Sequence, residues 1–296
     1  MMPLDFETEL DSLREDRLRA RRARRVRNAR RRMSWLNIAD RMWLVRHWPP
    51  RASSPKLDPA KVANLAKRLE AGVESRFPPL TMASSLRMRA IRQGLGRALI
   101  DAFAEFPDDG LQTVTVIYSR WSYTPPELQT VTAAQLKNQF RQHLDRAGVL
   151  QMPGPLYAVL HGEFEPTSGR YQLHYHMVTT VEKAAALKRG LKAIKGYVRT
   201  ATGSSPVRRS PVRDRVRQLT YLAKGFWPAK PVITIDGKPK RVRGYRRIPE
   251  PFGTQVLLWL DLQNFNDLVV AHDCWSPRNG GTEAMRRLYL FGAGVG

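Results

Sequence analysis

LYAVLHGEFEPTSGRYQLHYHMVTT, residues 156–180, decides the fold. Two runs rich in β-branched and aromatic residues flank the turn PTSG (166–169), the pattern of a β-hairpin. Side chains alternate between faces along a strand. On the first run the even positions Leu156, Ala158, Leu160, Gly162 and Phe164 are fit to pack a core, and the odd positions are Tyr157, Val159, His161, Glu163 and Glu165. On the second run Tyr171, Leu173, Tyr175 and Met177 form the apolar face. Gln172, His174, His176 and Val178 fall on the other.

The turn sets which residues meet. A two-residue loop at Ser168-Gly169 pairs Glu163 with His174 and His161 with His176. A four-residue loop over Pro166–Gly169 pairs His161 with His174 instead. Both registers put odd against even, so His161, Glu163, His174 and His176 share one face. Opposed Cβ atoms lie ~4.5–5.5 Å apart, within reach of one cation. Imidazole nitrogen with carboxylate oxygen suits Mn2+, Zn2+ or another divalent ion. Three protein ligands leave coordination positions open to a substrate. A lone His-x-His is more often an ordinary polar pair on a solvated sheet face, but here a carboxylate stands across the hairpin at matching parity and favours the cation.

Working outward, LQTVTVIYS (111–119) alternates like a strand, and Thr132 caps a helix that ends at Gly148. After the hairpin come a helical stretch over 181–200, a short strand in SPVRRSPV (205–212) and a helix over RDRVRQLTYLAKGF (213–226). The order β-α-β-β-α-β-α predicts an α+β fold with a ferredoxin/RRM-like antiparallel sheet and packed helices. Upstream, Asp58 with Pro59 opens a helix near 59–75, and Ser84 or Ser85 opens another that runs to about Phe106. Downstream, PVITIDGKPKRVRGYRR reads as a basic hairpin about Asp236-Gly237. Residues 250–296 give no definite pattern. The expected organisation is a basic N-terminal arm (1–50), a helical region (51–107), the sheet-bearing domain (108–230) and a C-terminal extension (231–296).

The charge balance names the partner class. Fifty Lys and Arg face 26 Asp and Glu, a net charge of +24. Such an excess suits a polyanion, since cations that neutralise phosphates release counterions. Ten of the sixteen positions from Arg17 to Arg32 are Arg, so residues 6–33 read as a basic helix or arm that meets phosphate. Leu10, Leu13, Leu18 and Val26 give that helix only a thin apolar stripe. Cys274 is the single cysteine, which excludes an internal disulfide and a cysteine zinc cage. With no apolar run of ~18 residues and no secretory core near the start, a cytoplasmic protein without a membrane partner is expected.

On the last helix, Val216, Leu219, Thr220, Ala223 and Phe226 share one stripe, and Tyr221 lies off it beside Arg217, Gln218 and Lys224. Cations near a phenol favour its anion, and a tyrosinate is a competent nucleophile toward phosphorus. The ordinary alternative is a surface tyrosine among solvated basic residues. Together, the strand TVTVIYS (113–119), the His-hydrophobic-His of LHYHMV (173–178) and the tyrosine-lysine element TYLAKGF (220–226) resemble the HUH endonuclease superfamily. Its members include rolling-circle replication initiators, relaxases and transposases. The resemblance covers about residues 111–228.

The resemblance implies Tyr221 as nucleophile, forming a 5′-phosphotyrosyl link, with Lys224 orienting the phosphate or stabilising developing charge. It implies His174 and His176 as ligands of Mn2+ or Mg2+, with Glu163 as third ligand and His161 or Glu165 in reserve. Single-stranded or hairpin DNA is the implied substrate, and a host helicase or polymerase an implied partner. Arg213, Arg217, Arg24, Arg25, Arg31, Lys240, Arg241 and Arg243 are the expected phosphate contacts. Where some initiators carry a second tyrosine, this chain has Lys224-Gly225-Phe226, which implies a single nucleophile. A relaxase or transposase would share this chemistry. The rival class is a non-catalytic binder that stacks bases on Tyr157 and Tyr118.

Overall fold

A computed structural model describes residues 9–28, 55–200, 202–235, 237–242 and 246–274. The first described helix, α1 (Glu9–Asn28), is followed by α2 (Pro59–Ser75) and α3 (Ser85–Ala102). The start signals of α2 and α3 act as their chemistry predicts. The Asp58 carboxylate accepts from Ala60 N, with Pro59 at the first helical position, and Ser84 Oγ accepts from Arg87 N. The expected stop near Phe106 comes earlier, at Ala102.

Then follow β1 (Leu111–Tyr123), the short α4 (Pro125–Leu128), α5 (Ala133–Arg146), β2 (Leu156–Glu165), β3 (Arg170–Thr180), α6 (Val181–Leu191), β4 (Val207–Pro211) and α7 (Arg215–Tyr221). The β-α-β-β-α-β-α order expected from the sequence is therefore present, in an α+β fold. The strands lie in the order β4-β1-β3-β2, with every neighbouring pair antiparallel. Helices α6 and α7 are shorter than the 181–200 and 213–226 stretches. Lys224 therefore lies in a turn after α7, where its N–H donates to Tyr221 O at 3.2 Å.

The hairpin takes the four-residue loop: Glu165 pairs with Arg170 and His161 with His174. Glu165 fixes this register itself. Its carboxylate accepts from Thr167 N (2.8 Å) and Ser168 N (2.6 Å), and Gly169 supplies the positive φ of 67°. With Glu165 committed to the turn, it is not a ligand reserve.

One face of the sheet is core. Val114, Val116, Tyr118, Leu160, Phe164, Tyr171, Leu173, Tyr175 and Met177 are all buried. Tyr175 stacks on Phe140 of α5 with ring centroids 4.1 Å apart, an aromatic pair of about 1 kcal/mol beyond its burial. Tyr118 sits among Trp121, His143 and Tyr197. Tyr157 is wholly buried too, so neither tyrosine of the base-stacking alternative offers a face to a nucleic acid.

The terminal segments depart most from expectation. Helix α1 is packed rather than a free arm. Its buried face is Ser12, Leu13, Asp16, Arg19, Ala20 and Ala23, with Leu10 exposed. Asp16 caps α3 from a distance: it accepts from Ser84 Oγ (2.6 Å), Ser85 N (2.6 Å) and Leu86 N (3.2 Å). Arg19 donates to Ala83 O and Gly225 O, and Arg22 to Ile248 O while pairing with Glu250. At the other end, β5 (Pro228–Ala229), the hairpin β6 (Val232–Ile235) and β7 (Lys238–Arg241), β8 (Arg246–Arg247), α8 (Phe252–Asp261), α9 (Phe265–Leu268) and β9 (Val269–His272) complete the described chain. β5 and β9 both hydrogen-bond to β2, at opposite ends of that strand. One contiguous apolar core runs from Ala20 to Cys274. No helix among the described residues is long and apolar enough to cross a membrane.

Candidate active site

The face opposite the core carries the polar groups. Cross-strand pairing lays them in two rows: Arg208, Thr115, His176 and Val159 in one, Ile117, His174 and His161 in the next. A cavity of about 500 Å³ opens over them. Its lining includes His161, Glu163, His174 and His176 from the sheet, Tyr221 and Lys224 from the α7 end, and Arg208, Lys230 and Arg241 around them. Sequence reasoning brought the first six to one site, and the structure brings all six to one cavity.

The three imidazoles form a cluster. His174 Nε2 and His176 Nε2 are 3.0 Å apart, and the His161 ring lies 5.0 Å from that of His176. The partners of the other nitrogens settle the tautomers, because a carbonyl can only accept. His174 Nδ1–H donates to Gln172 O (3.3 Å), which leaves Nε2 as a lone pair. His161 Nε2–H donates to Leu222 O (2.7 Å), which leaves Nδ1 as a lone pair. That Nδ1 is buried and has no hydrogen-bond partner. Such an orphan costs about 1–3 kcal/mol and calls for a ligand. His176 Nδ1 lies 2.9 Å from Thr115 Oγ1, a hydroxyl able to donate or accept. Burial, followed by neighbouring charge, pushes His161 and His176 well below the usual imidazole range, and burial takes His174 down to about 3. All three rings are therefore neutral at pH 7.

These observations fit a cation. Two nitrogens can share one only within ~4 Å of each other, twice the ~2.0–2.1 Å metal–nitrogen bond, and the pair at 3.0 Å satisfies this. Among the described residues no group of three or more His, Cys, Asp or Glu side chains is placed to hold a metal ion, so a third ligand would have to move toward the His174–His176 pair. Glu163, the expected third ligand, is engaged elsewhere: its carboxylate pairs with the Arg241 guanidinium. Burial raises its pKa, against the lowering pull of Arg241 and Lys230. His161, with its bare Nδ1, is the better third ligand.

Tyr221 and Lys224 meet each other. Lys224 Nζ donates to Tyr221 Oη at 2.6 Å and lies 4.2 Å from the ring centroid. Burial, with Lys230 adding repulsion and Glu163 opposing, brings the lysine down to about 8. The i, i+3 spacing survives the early end of α7 because the turn Leu222–Lys224 keeps hydrogen-bonding back three residues.

The expected phosphate contacts divide. Arg241 lines the cavity. Arg213, Arg217 and Lys240 are exposed outside its lining. Arg24 pairs with Glu70, and Arg25 is exposed on α1. Arg31 and Arg243 lie outside the described residues. Arg208 and Lys230 are cavity cations that sequence reasoning missed. Arg208 had no local signal, since β4 is exposed at four of its five positions and the pairing of Arg208 with Thr115, on the histidine face, is set by the sheet register. Lys230 follows a two-residue strand too short to signal itself. No protein-family model, no curated protein and no solved structure matches this chain.

Proposed function

We propose that the protein is a metal-dependent endonuclease and strand transferase acting on single-stranded DNA, of the kind that initiates rolling-circle replication of a plasmid or phage-like element. One observation carries this reading. A tyrosine hydroxyl, held at 2.6 Å by a lysine ammonium, opens into the same cavity as three neutral imidazoles. The antiparallel order β4-β1-β3-β2, built from a β-α-β-β-α-β chain, supports the ferredoxin-like arrangement of the HUH endonucleases.

In this reading Tyr221 gives up its phenolic proton to solvent, its Oη attacks the scissile phosphorus and the P–O3′ bond breaks. The product is a 5′-phosphotyrosyl link, and the leaving oxygen takes a proton back from solvent to become a free 3′-OH. Lys224 stabilises the phenolate by donating to it. Arg208, Lys230 and Arg241 neutralise the phosphates that enter the cavity. His161, His174 and His176 would hold the divalent ion, which polarises the scissile phosphodiester when bound. An all-imidazole set favours a transition ion such as Mn2+ over Mg2+.

The test is direct. Single-stranded oligonucleotides incubated with the protein and Mn2+ should yield a covalent adduct on a denaturing gel, lost in Tyr221→Phe. An adduct that persists in Tyr221→Phe overturns the assignment, as does its absence from the wild type across a randomised oligonucleotide library.

A further inference from the structure

A second cavity of about 420 Å³ adjoins the first and shares Ile117 and Arg241 with it. Its floor is Gln172, two residues before His174 on the same strand face. At this point β1 breaks register with β3 between Ile117 and Ser122. The break turns the carbonyls of Tyr118 and Trp121 out of the ladder. Gln172 Nε2 recaps them, donating to Tyr118 O (3.1 Å) and Trp121 O (3.3 Å) as well as Leu173 O (3.0 Å). All three partners can only accept, so the amide cannot flip. Its oxygen is thereby fixed as an acceptor, and no described residue donates to it. The groove also offers hydroxyls from Ser119, Ser122, Thr200 and Thr202, the cations Arg170, Arg199 and Arg241, the Glu165 carboxylate already taken up by the hairpin turn, and Val198, which is 58% exposed. Apolar surface and cations around a fixed amide acceptor suit a nucleotide.

We propose that this groove seats the base next to the phosphate held at the imidazole cluster, and that Gln172 selects a base bearing an amino group at the purine 6- or pyrimidine 4-position. Adenine and cytosine present that donor. Guanine and thymine carry a carbonyl oxygen at the same place, which would face the Gln172 oxygen without a proton between them. Along a strand, two residues span about 6.7 Å, so Gln172 stands within reach of a nucleotide whose phosphate lies at His174. The inference rests on the proposed function for its substrate but not for its readout.

Equilibrium selection from a randomised single-stranded DNA pool in Mn2+, with full-length Tyr221→Phe so that nothing is cut, tests it. This protein should enrich adenine or cytosine about five-fold at one position, the scale of a single net hydrogen bond. Adding Gln172→Met should lose that enrichment while the pool is still retained. A purine lacking the 6-amino group, placed at the enriched position, should cost Tyr221→Phe the same factor. This arm decides alone if the Gln172→Met protein fails to fold. A Tyr221→Phe profile without base preference overturns the inference, as does a preference that both Gln172→Met and the deaminated purine leave intact. Loss of the nuclease reading would register separately, as no covalent adduct with Mn2+. Failure to retain single-stranded DNA at all would sink both.

Discussion

His161 carries the most weight among single residues. Glu163 and His161 both have the parity to be a third ligand, and only their partners separate them. Glu163 Oε1 is ion-paired with Arg241 though, like His161 Nδ1, it lacks a hydrogen-bond partner, whereas the His161 nitrogen has no ion pair either. Calorimetric titration with Mn2+ should therefore show His161→Ala weakening binding at least ten-fold, the low end of what loss of a supporting group costs, and Glu163→Gln weakening it less. Equal losses would return Glu163 to the ligand set. Lys224 gives a second expectation. In the proposed reaction it acts as a protonated donor, and burial brings its pKa down to about 8. Because Tyr221 must also lose its proton, adduct formation should rise with pH and level off near about 8, where Lys224 begins to lose its own proton, and Lys224→Arg should let the rise continue to higher pH. Loss of the adduct in Lys224→Arg at every pH would instead make Lys224 the proton acceptor.

At the scale of the element, the α1–α3 contact is the least orthodox. The Asp16 carboxylate of α1 caps α3 through three hydrogen bonds of 2.6, 2.6 and 3.2 Å. Asp16→Ala should lower stability by about 1–3 kcal/mol, read as an earlier urea midpoint with unchanged slope. No change would mean that water replaces the cap. This contact also explains what the sequence hid. Apolar periodicity finds helices that bury large apolar side chains, and α1 buries one, Leu13, beside Ser12, Asp16, Arg19, Ala20 and Ala23. Its arginines looked like phosphate contacts, but Arg19 and Arg22 satisfy carbonyls and carboxylates of this chain. The β2–β3 hairpin was legible for the opposite reason. A period of two leaves no freedom once the loop has even length, so alternation alone assigns His161, Glu163, His174 and His176 to one face. The choice between two registers was not legible, because it depended on the Glu165 side chain folding back onto the turn.

At the scale of the whole molecule, one face of one sheet gathers neutral histidines inside a chain of net charge +24. Keeping those imidazoles neutral ties stability to pH. Their folded pKa values lie below the ordinary 6.5, that of His174 at about 3. As pH falls below 6.5 the unfolded chain takes up protons that the folded chain refuses. Stability present above pH 6.5 should thus be lost progressively on acidification. In metal-free protein the melting temperature should decline from pH 7 to pH 5, and His174→Gln should flatten the decline. A flat wild-type profile would mean the cluster is hydrated enough to protonate in place. The long-range pairs that finish the site, such as Arg241 with Glu163, join segments distant in sequence and have no local signature.

Arg19 reaches across 206 residues to Gly225 O, the carbonyl directly after Lys224. The turn beside the cavity is therefore closed by a helix far away in sequence. Contacts that distant slow folding, because a long loop must close before they form. The turn that carries Lys224 should then take its final placement only once α1 has docked.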